Sequence, residues 1–420
     1  MKVVVIGGGA AGMMAAITSA SNGAEVVLLE KNEKLGKKLY ITGKGRCNLT
    51  NDSDFESFQN NIVSNAKFLT SALRYFDSKS CERYFESLGL PLKIERGNRV
   101  FPESDKSSDV IKVLQKELVR RNVDVRLNER VIEISEMHVV TQSGKYEYDN
   151  VIIATGGVSY PATGSTGDGY IFAKKIGHEI IKPVPALCGI KVNYCEGANK
   201  SIAYKNLPKL QGLSLKNVSV SVWENKENGK KLFSEFGEML FTANGISGPV
   251  VLTLSSFINR IDVKSLKIVI DLKPALSDKQ LDERLLRDIA EQKNKQLKNS
   301  LNSLLPNSLI SPIIVLSGIP QEKPLNSITK AERKILINLL KRFTLIPDGL
   351  EDISSAIVTS GGINVKEINP KTMQSKFNPK FFFCGEVLDV DALTGGFNLQ
   401  IAFSTAVLAG KFATKGGIEE

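Results

Sequence analysis

A glycine-rich turn between two apolar segments near the N-terminus constrains the fold more than any other feature of the sequence. Residues 3–6 are apolar and mostly β-branched, which predicts a strand buried on both faces. Gly7, Gly9 and Gly12 follow in GxGxxG spacing, and residues 26–29 form a second apolar segment. In such a unit the first glycine permits a tight turn, the second lets the backbone approach a pyrophosphate, and the third allows close helix–strand contact. The order of these elements predicts a dinucleotide-binding βαβ unit.

Glu30 ends the second apolar segment, where its carboxylate is placed to accept hydrogen bonds from ribose hydroxyls. Its negative charge would repel a 2′-phosphate on that ribose. The sequence therefore favours FAD or NAD over NADP as the nucleotide that this unit holds.

The segment after Glu30, residues 31–51, combines glycines with basic side chains. We interpret it as a loop that folds over the pyrophosphate and the flavin ring with its backbone N–H groups turned inward. The alternative is an ordinary solvated surface loop. The glycines and basic residues concerned are Lys37, Lys38, Gly43, Lys44, Gly45 and Arg46.

The C-terminal region predicts a second approach to the same nucleotide. Residues 381–384 form a buried strand, Gly385 a turn, and Asp389 follows in a position that suits a ribityl hydroxyl. Gly395 and Gly396 then open a helix whose N-terminus offers free N–H groups and positive partial charge to the flavin. The alternative is a C-terminal helix that only covers the core.

The middle of the chain has a different pattern and predicts an insert. Short alternating segments at 190–192, 218–223, 239–241, 250–254 and 266–270 favour an antiparallel sheet or small barrel. Leucines at helical spacing follow. The predicted boundaries are 1–188 for the first part of the nucleotide-binding domain, 189–275 for a β-barrel-like subdomain, 276–347 for a helical subdomain and 348–420 for the return segment.

Composition excludes several classes of protein. No apolar run approaches the roughly 20 residues of a membrane helix, and the N-terminus shows no signal-peptide pattern, so we expect a cytoplasmic protein without membrane insertion. The five cysteines are scattered without a CxxC pair, and only His138 and His178 are present, so neither a metal site nor a Ser-His-Asp triad is predicted. The oligomeric state is left open.

The net charge of +10 is spread along the chain rather than concentrated in one arm. We interpret it as a solvated surface that also attracts an anionic dinucleotide, with a small-molecule substrate and no stable nucleic-acid partner.

Together these segments resemble the BaiN/YhiN-like family of NAD(P)/FAD-dependent oxidoreductases, and the resemblance covers most of the chain. The motifs that carry it are GGGAAG at 7–12, TGKGRCNLTN at 42–51, NRVFPESDKSSDV at 98–110, GGVSYPATGSTGDGY at 156–170, GEMLFTANGISGPVVL at 237–252, VTSGGINVKEI at 358–368 and CGEVLDVDALTGGFNLQIAF at 384–403.

The resemblance implies an α/β fold: a Rossmann-type FAD-binding domain of the glutathione-reductase type with an inserted β-barrel and helical subdomain. From the motifs and the resemblance together, the residues predicted to bind FAD are Gly7, Gly9, Ala10, Ala11, Gly12, Glu30, Lys31, Lys38, Gly45, Arg46, Cys47, Asn48, Val131, Ala154, Thr155, Gly156, Gly385, Glu386, Asp389, Gly396, Asn398 and Leu399.

The activity that the resemblance implies is hydride transfer from NADH or NADPH through the flavin to an organic acceptor, such as the enone C=C bond of bile-acid-like substrates. Tyr160 and Asn244 are the predicted catalytic residues. The sequence departs from its relatives at Ala243, where a histidine usually stands, so no proton transfer is assigned there. The alternatives are an FAD-dependent RNA-modifying enzyme and a flavin-binding protein without turnover.

Overall fold

The computed structural model describes residues 1–207 and 210–415. They form two compact units. Unit one comprises Met1–Ala186 and the chain from Ile353 onward, and unit two comprises Leu187–Asp352. The insert predicted at 189–347 falls within unit two.

The strands, numbered in chain order, are β1 Lys2–Ile6, β2 Glu25–Leu29, β3 Thr50–Asn51, β4 Leu92–Glu95, β5 Arg99–Pro102, β6 Asp124–Arg126, β7 Val131–Ile134, β8 His138–Thr141, β9 Lys145–Glu147, β10 Asn150–Ile153, β11 Ile180–Ala186, β12 Ile190–Glu196, β13 Ser201–Ala203, β14 Ser214–Glu224, β15 Lys231–Phe241, β16 Gly245–Ser247, β17 Leu266–Asp271, β18 Phe343–Leu350, β19 Val358–Ile363 and β20 Phe381–Phe383.

The helices are α1 Ala10–Ser21, α2 Lys37–Ile41, α3 Phe55–Gln59, α4 Thr70–Tyr75, α5 Ser78–Ser87, α6 Ser107–Arg120, α7 Asp168–Ile176, α8 Pro249–Ile258, α9 Asp278–Glu291, α10 Asn307–Ser317, α11 Lys330–Lys341 and α12 Phe397–Phe412. Among the described residues, none of these helices combines the length and the apolar composition that a membrane span requires.

Unit one is built on a five-stranded parallel sheet of order β20-β10-β1-β2-β6. Its central strand β1 is apolar throughout residues 3–6, because parallel strands are covered on both faces. The strand order places the return strand β20 beside β10, so residues more than 200 positions apart share one sheet edge. Smaller antiparallel sheets, β3-β5-β4, β7-β8-β9 and β11-β19, surround it.

Unit two contains a closed sheet. Strand β12 pairs with β16 on one side and with β18 on the other, so the order β12-β16-β15-β14-β17-β18 returns to its first strand. Helices α9 to α11 lie between β17 and β18 in the chain. The helical segment is therefore itself an insertion between two strands of the barrel. Strand β18 begins at Phe343, within the subdomain predicted at 276–347, whose bounds stay a prediction.

The prediction of a strand at residues 250–254 is wrong, because these residues lie in helix α8. Gly248 adopts a φ of 96° that ends the preceding strand, and Pro249 occupies the first turn of the helix, where its missing N–H costs nothing. Val250, Val251 and Leu254 are buried at helical spacing. The predicted fold class, a Rossmann-type α/β domain with an inserted barrel and helices, is nevertheless confirmed.

Helices α1 and α12 pack closely in unit one at Gly410. A Cβ added there would lie 2.7 Å from the carbonyl oxygen of Ala15, and the Ser19 hydroxyl donates to the Gly410 carbonyl at 3.2 Å. No side chain fits at this crossing without separating the helices.

We therefore expect Gly410→Val to lower the free energy of unfolding by about 1–3 kcal/mol, the usual cost of overpacking. The matched control is Gly144→Val, because a Cβ at Gly144 meets no atom of the described part of the chain within 4 Å. Chemical denaturation of both variants measures the difference. Equal stability would show that the two helices do not approach as closely as described.

Candidate functional site

Packing within the protein requires glycine at two positions of the turn after β1. Gly7 has a φ of 105°, and a Cβ there would lie 2.6 Å from the carbonyl oxygen of Ala154. A Cβ at Gly12 would lie 1.7 Å from the Gly7 carbonyl oxygen. These contacts bring the end of β1, the end of β10 and the first turn of α1 together.

Gly9 differs from both, because a Cβ there would meet no atom of residues 1–207 or 210–415 within 4 Å. Its φ of −79° and ψ of −170° are open to any residue. The absence of a side chain at Gly9 therefore does not serve packing within the protein. It leaves the surface beside the start of α1 open. Such space beside a helix start is what a bound pyrophosphate requires.

The N-terminus of α1 has the features of an anion site. Gly9 caps the helix without a side-chain hydrogen bond, and the first turn carries no acidic residue. The N–H groups of Ala10, Ala11 and Gly12 have no acceptor within the helix, since the first turn never does. Together with the helix dipole they favour a negatively charged group.

Glu30 is held directly beside this turn and is only 8% exposed. Its carboxylate accepts from the Gly8 N–H at 2.6 Å, from the Asn32 N–H at 2.8 Å and from Asn32 Nδ2 at 2.6 Å. These donors offset the cost of burying the charge. The carboxylate is thus held in one orientation beside the glycine turn, and its contact with ribose stays a prediction.

Lys38 joins three distant segments of unit one. Its Nζ donates to both oxygens of Glu386, at 2.7 and 2.9 Å, and to Ser159 Oγ at 2.6 Å. Glu386 also accepts from the Thr359 N–H at 2.8 Å. The cluster ties α2 to the turns that follow β10 and β20. Sequence analysis missed Ser159 and Thr359, because no local pattern links residues so far apart.

Lys31, the neighbour of Glu30, donates to Asp168 Oδ2 at 2.8 Å at the start of α7. This ion pair is half-buried, and Lys31 holds the pKa of the Asp168 carboxyl below its usual value against an opposing effect of burial.

The loop after α2 contains a run of left-handed residues, with positive φ at Gly43, Lys44, Gly45 and Cys47. The Arg46 guanidinium carbon lies 4.2 Å from the centre of the Phe101 ring. The guanidinium also pairs with one carboxylate of β4 and one in the turn after β5. Those partners are Glu95 and Asp105. The charge of Arg46 is therefore neutralised within the protein.

Several buried acceptors in this region have no hydrogen-bond partner among the residues that the structure describes. They include Asn48 Oδ1 and the hydroxyl oxygens of Thr50 and Thr155. Ala154 and Val131, two other predicted contacts, lie buried at the end of β10 and the start of β7. Gly156 follows with a φ of 73°. Unpartnered buried acceptors are costly, so such groups are typical of a ligand site.

The return segment reaches the same helix. A Cβ at Gly385 would lie 2.7 Å from the Cβ of Ala11, so the turn after β20 rests on the first turn of α1. Beyond it, Asp389 accepts from Asn65 Nδ2 through its carbonyl at 2.6 Å and its carboxylate at 3.0 Å.

Helix α12 begins with Gly396 as its cap, which has a φ of 100° and no side-chain cap, and its first turn carries no acid. A Cβ at Gly396 would lie 2.3 Å from the Thr50 carbonyl oxygen. The Asn398 side chain closes the preceding loop, accepting from the Ala392 N–H at 3.0 Å and donating to its carbonyl at 2.7 Å. The backbone N–H groups of Asn398 and Leu399, not the Asn398 amide, therefore remain for a ligand.

The two predicted catalytic residues lie in different units. Tyr160, in unit one, has a φ of 51°, and its N–H donates to the Ser354 carbonyl at 3.1 Å. Asn244, in unit two, is exposed and accepts from the Val192 N–H through its carbonyl at 2.9 Å. Their catalytic roles stay predictions.

A hydrogen-bonded chain of serine, histidine and glutamate is also present in unit one. His178 Nδ1 lies 3.1 Å from Glu367, and Nε2 lies 2.8 Å from Ser375 Oγ. The imidazole is fully buried, and burial lowers its pKa. Ser375 Oγ also accepts the N–H groups of Phe377 and Asn378, so this chain fastens a loop rather than exposing a nucleophile.

The HI0933-like protein Rossmann domain family matches residues 1–412. The chain belongs to this family. It is 32% identical over 422 residues, 99% of both chains, to a 3-dehydro-bile acid delta(4,6)-reductase of Clostridium scindens. It is 29% identical to a ribosomal RNA dihydrouridine synthase of Haemophilus influenzae, with 96% of each chain covered, and 28% identical to one of Escherichia coli, with 96% and 95% covered.

The HI0933-like family confirms the predicted resemblance and, with the fold, the predicted class of a flavoprotein oxidoreductase. The individual site residues stay predictions.

The five cysteines of the chain, one of which lies in the predicted site, are all buried and free. Burial raises the pKa of Cys47 to about 12, and it also raises those of Cys188, to about 11, and Cys195, to about 12. The remaining two, Cys81 and Cys384, shift in the same direction. Since the thiolate is the reactive form, none of these groups is a nucleophile at neutral pH.

A disulfide reagent at pH 8 should therefore modify no thiol of the native protein within minutes and all five after denaturation. Absorbance of the released thiolate counts them. One fast equivalent that disappears in Cys47→Ser would contradict this and make Cys47 a reactive thiol.

Proposed function

We propose that the protein is an FAD-dependent reductase of C=C bonds conjugated to a carbonyl group. The two kinds of relative support this class, because their names describe the same chemistry on different molecules. A 3-dehydro Δ4,6 bile acid carries its double bonds in conjugation with a ketone. Dihydrouridine arises from uridine by saturation of a double bond conjugated to the uracil carbonyl.

The residues of unit one fit FAD, and the observation that carries the proposal is the open space at Gly9 beside an uncapped helix N-terminus. The N–H groups of Ala10 and Ala11 would hold the pyrophosphate, and Glu30 would accept from the ribose. The unpartnered acceptor of Asn48 and the N-terminus of α12 would contact the flavin half.

FAD, when bound, supplies hydride transfer between a nicotinamide and the acceptor. We propose NADH or NADPH as the reductant. The protein would contribute orientation, exclusion of water and a proton for the carbon that does not receive hydride. The Tyr160 hydroxyl, in the same unit as the proposed FAD site, is the proposed source of that proton. Asn244 stays a predicted catalytic residue of unit two. The Ala243 side chain can neither donate nor accept a proton, so a proton transfer by histidine at that position is excluded.

The acceptor is proposed first as a small enone, because the bile-acid reductase matches at the higher identity and over the full chain. Uracil in RNA is the second candidate. The net charge of +10 and the two ribosomal RNA dihydrouridine synthases favour it. With either substrate, the proposed location of the protein is the cytoplasm.

Gly9→Ala tests the cofactor site without disturbing the fold. The added methyl meets no protein atom, so apo-protein stability should fall by at most about 1 kcal/mol, the cost of alanine at a helix cap. FAD affinity should fall about tenfold or more, because the methyl would enter the pyrophosphate position. Titration of apo-protein by flavin fluorescence measures it.

Gly144→Ala is the matched control and should bind FAD as the parent does. Glu30→Ala is a less specific test, since it also removes the acceptor of the Gly8 and Asn32 N–H groups. Unchanged FAD affinity in Gly9→Ala would place the pyrophosphate elsewhere.

The substrate class is tested by anaerobic reduction of the FAD-loaded protein with NADH or NADPH, followed by addition of a 4-en-3-one steroid or of unmodified ribosomal RNA. Reoxidation of the flavin with formation of the saturated ketone supports the first candidate, and dihydrouridine detected by mass spectrometry supports the second. Failure of both nicotinamides to bleach the flavin would contradict a nicotinamide-dependent reductase and favour a flavin-binding protein without turnover.

A further inference from the structure

Trp223, the single tryptophan of the chain, lies on the outer face of the barrel of unit two. The alternate residues of strand β14, Val218, Val220 and Val222, are buried, so Trp223 points away from the barrel interior. Its indole N–H donates to Ser221 Oγ at 2.9 Å on the same face. The ring is half-buried and held in a fixed orientation.

Lysines flank this ring on both neighbouring strands. Trp223 is paired in register with Lys231 of β15 and with Lys267 of β17. Residues directly opposite in an antiparallel sheet share a face. The Lys231 ammonium lies 5.8 Å from the indole ring centre. Across three strands, one row therefore reads lysine, tryptophan, lysine.

The two lysines keep their charge available. Within the part of the chain that the structure describes, neither Lys231 nor Lys267 takes part in an ion pair, whereas one acid of β14 and one of β17 do. Glu224 pairs with Lys226 at 3.0 Å, and Asp271 pairs with Lys341 at 2.6 Å. The row of Lys231, Trp223 and Lys267 therefore carries two positive charges that no described acid neutralises in an ion pair.

The next two rows on the same face carry three serines and one phenylalanine on β14 and β15, and Val269 and Asp271 on β17. Ser221 lies opposite Ser234, and Ser219 lies opposite Phe236, whose ring is 60% exposed. Most of the Phe236 surface is therefore open to solvent. We name the set Lys231, Trp223, Lys267, Phe236 and the serines 219, 221 and 234 the outer row surface.

We propose that the outer row surface binds single-stranded nucleic acid. Aromatic rings on a barrel face offer stacking platforms for bases, and flanking cations contact the phosphates. A polyanion without bases would use the lysines but not the rings, and an apolar protein partner would use the rings but not the unpaired lysines. This proposal rests on RNA as the second candidate substrate of the proposed function. Binding of nucleic acid to the outer row surface can nevertheless be measured without the reduction.

The test uses the full-length, FAD-loaded protein and a labelled oligouridine of about 12 nucleotides. We expect quenching of Trp223 emission on titration and a matching change in the anisotropy of the label. Trp223→Leu should weaken binding about 5- to 100-fold, the range of one base-stacking contact, and Trp223→Phe should restore part of it. Lys231→Gln and Lys267→Gln should each lower the salt dependence of log affinity by about 0.7.

Unit one offers a matched control, Tyr75 with Lys411 at 4.2 Å over its ring, since this is also an exposed aromatic beside a lysine. Tyr75→Leu and Lys411→Gln should leave oligouridine affinity unchanged. Equal effects of the two sets, or equal competition by inorganic polyphosphate, would overturn the proposal in favour of general electrostatic attraction. A change of Trp223 emission with protein concentration alone would overturn it in favour of a contact between copies of the chain.

Failure of nucleic-acid binding can be distinguished from failure of the proposed reduction. Loss of oligouridine binding in Trp223→Leu with normal enone reduction supports the surface and leaves the chemistry intact. Absence of oligouridine binding by the parent protein overturns the surface whether or not the flavin is reduced.

Discussion

The contact between Gly12 of helix α1 and the Gly7 carbonyl is the constraint on which the rest of unit one depends. A single methyl at Gly12 would lie 1.7 Å from that oxygen, so the helix can begin at the sheet edge only without a side chain there. The same approach lets the turn at Gly385 rest on Ala11. Segments from opposite ends of the sequence thus meet at one helix N-terminus, beyond the carboxyl ends of parallel strands, where α/β sheets bind ligands.

The electrostatics of this region follow from the packing. Glu30 is buried, and its charge is tolerated because three N–H donors face it. Lys38 is likewise satisfied by Glu386 and Ser159. Since these side chains are held by the protein before any ligand binds, less ordering remains to be done on binding. The backbone N–H groups at the starts of α1 and α12 are what stays available.

The sequence predicted β1, α1, β2 and the glycine turn well, because buried parallel strands and GxGxxG spacing are local signals. It failed at residues 250–254, since a short apolar run is equally consistent with a strand and a buried helix, and the Gly248 turn decides the matter. It could not find Ser159 or Thr359, because their roles come from contacts with Lys38 and Glu386 across the fold. Arg46 and Asn398 were predicted from motifs, yet their side chains are engaged by partners that no spacing reveals.

We propose that unit one holds a dinucleotide rather than a mononucleotide, with the Gly7 to Gly12 turn and Glu30 contacting its adenosine half. Titration of the apo-protein with FAD and, separately, with FMN tests this most directly, since FMN keeps the flavin ring but lacks the adenylate. We expect one FAD per chain and FMN binding weaker by orders of magnitude. Equal affinity for the two flavins, or no flavin binding at all, would contradict it.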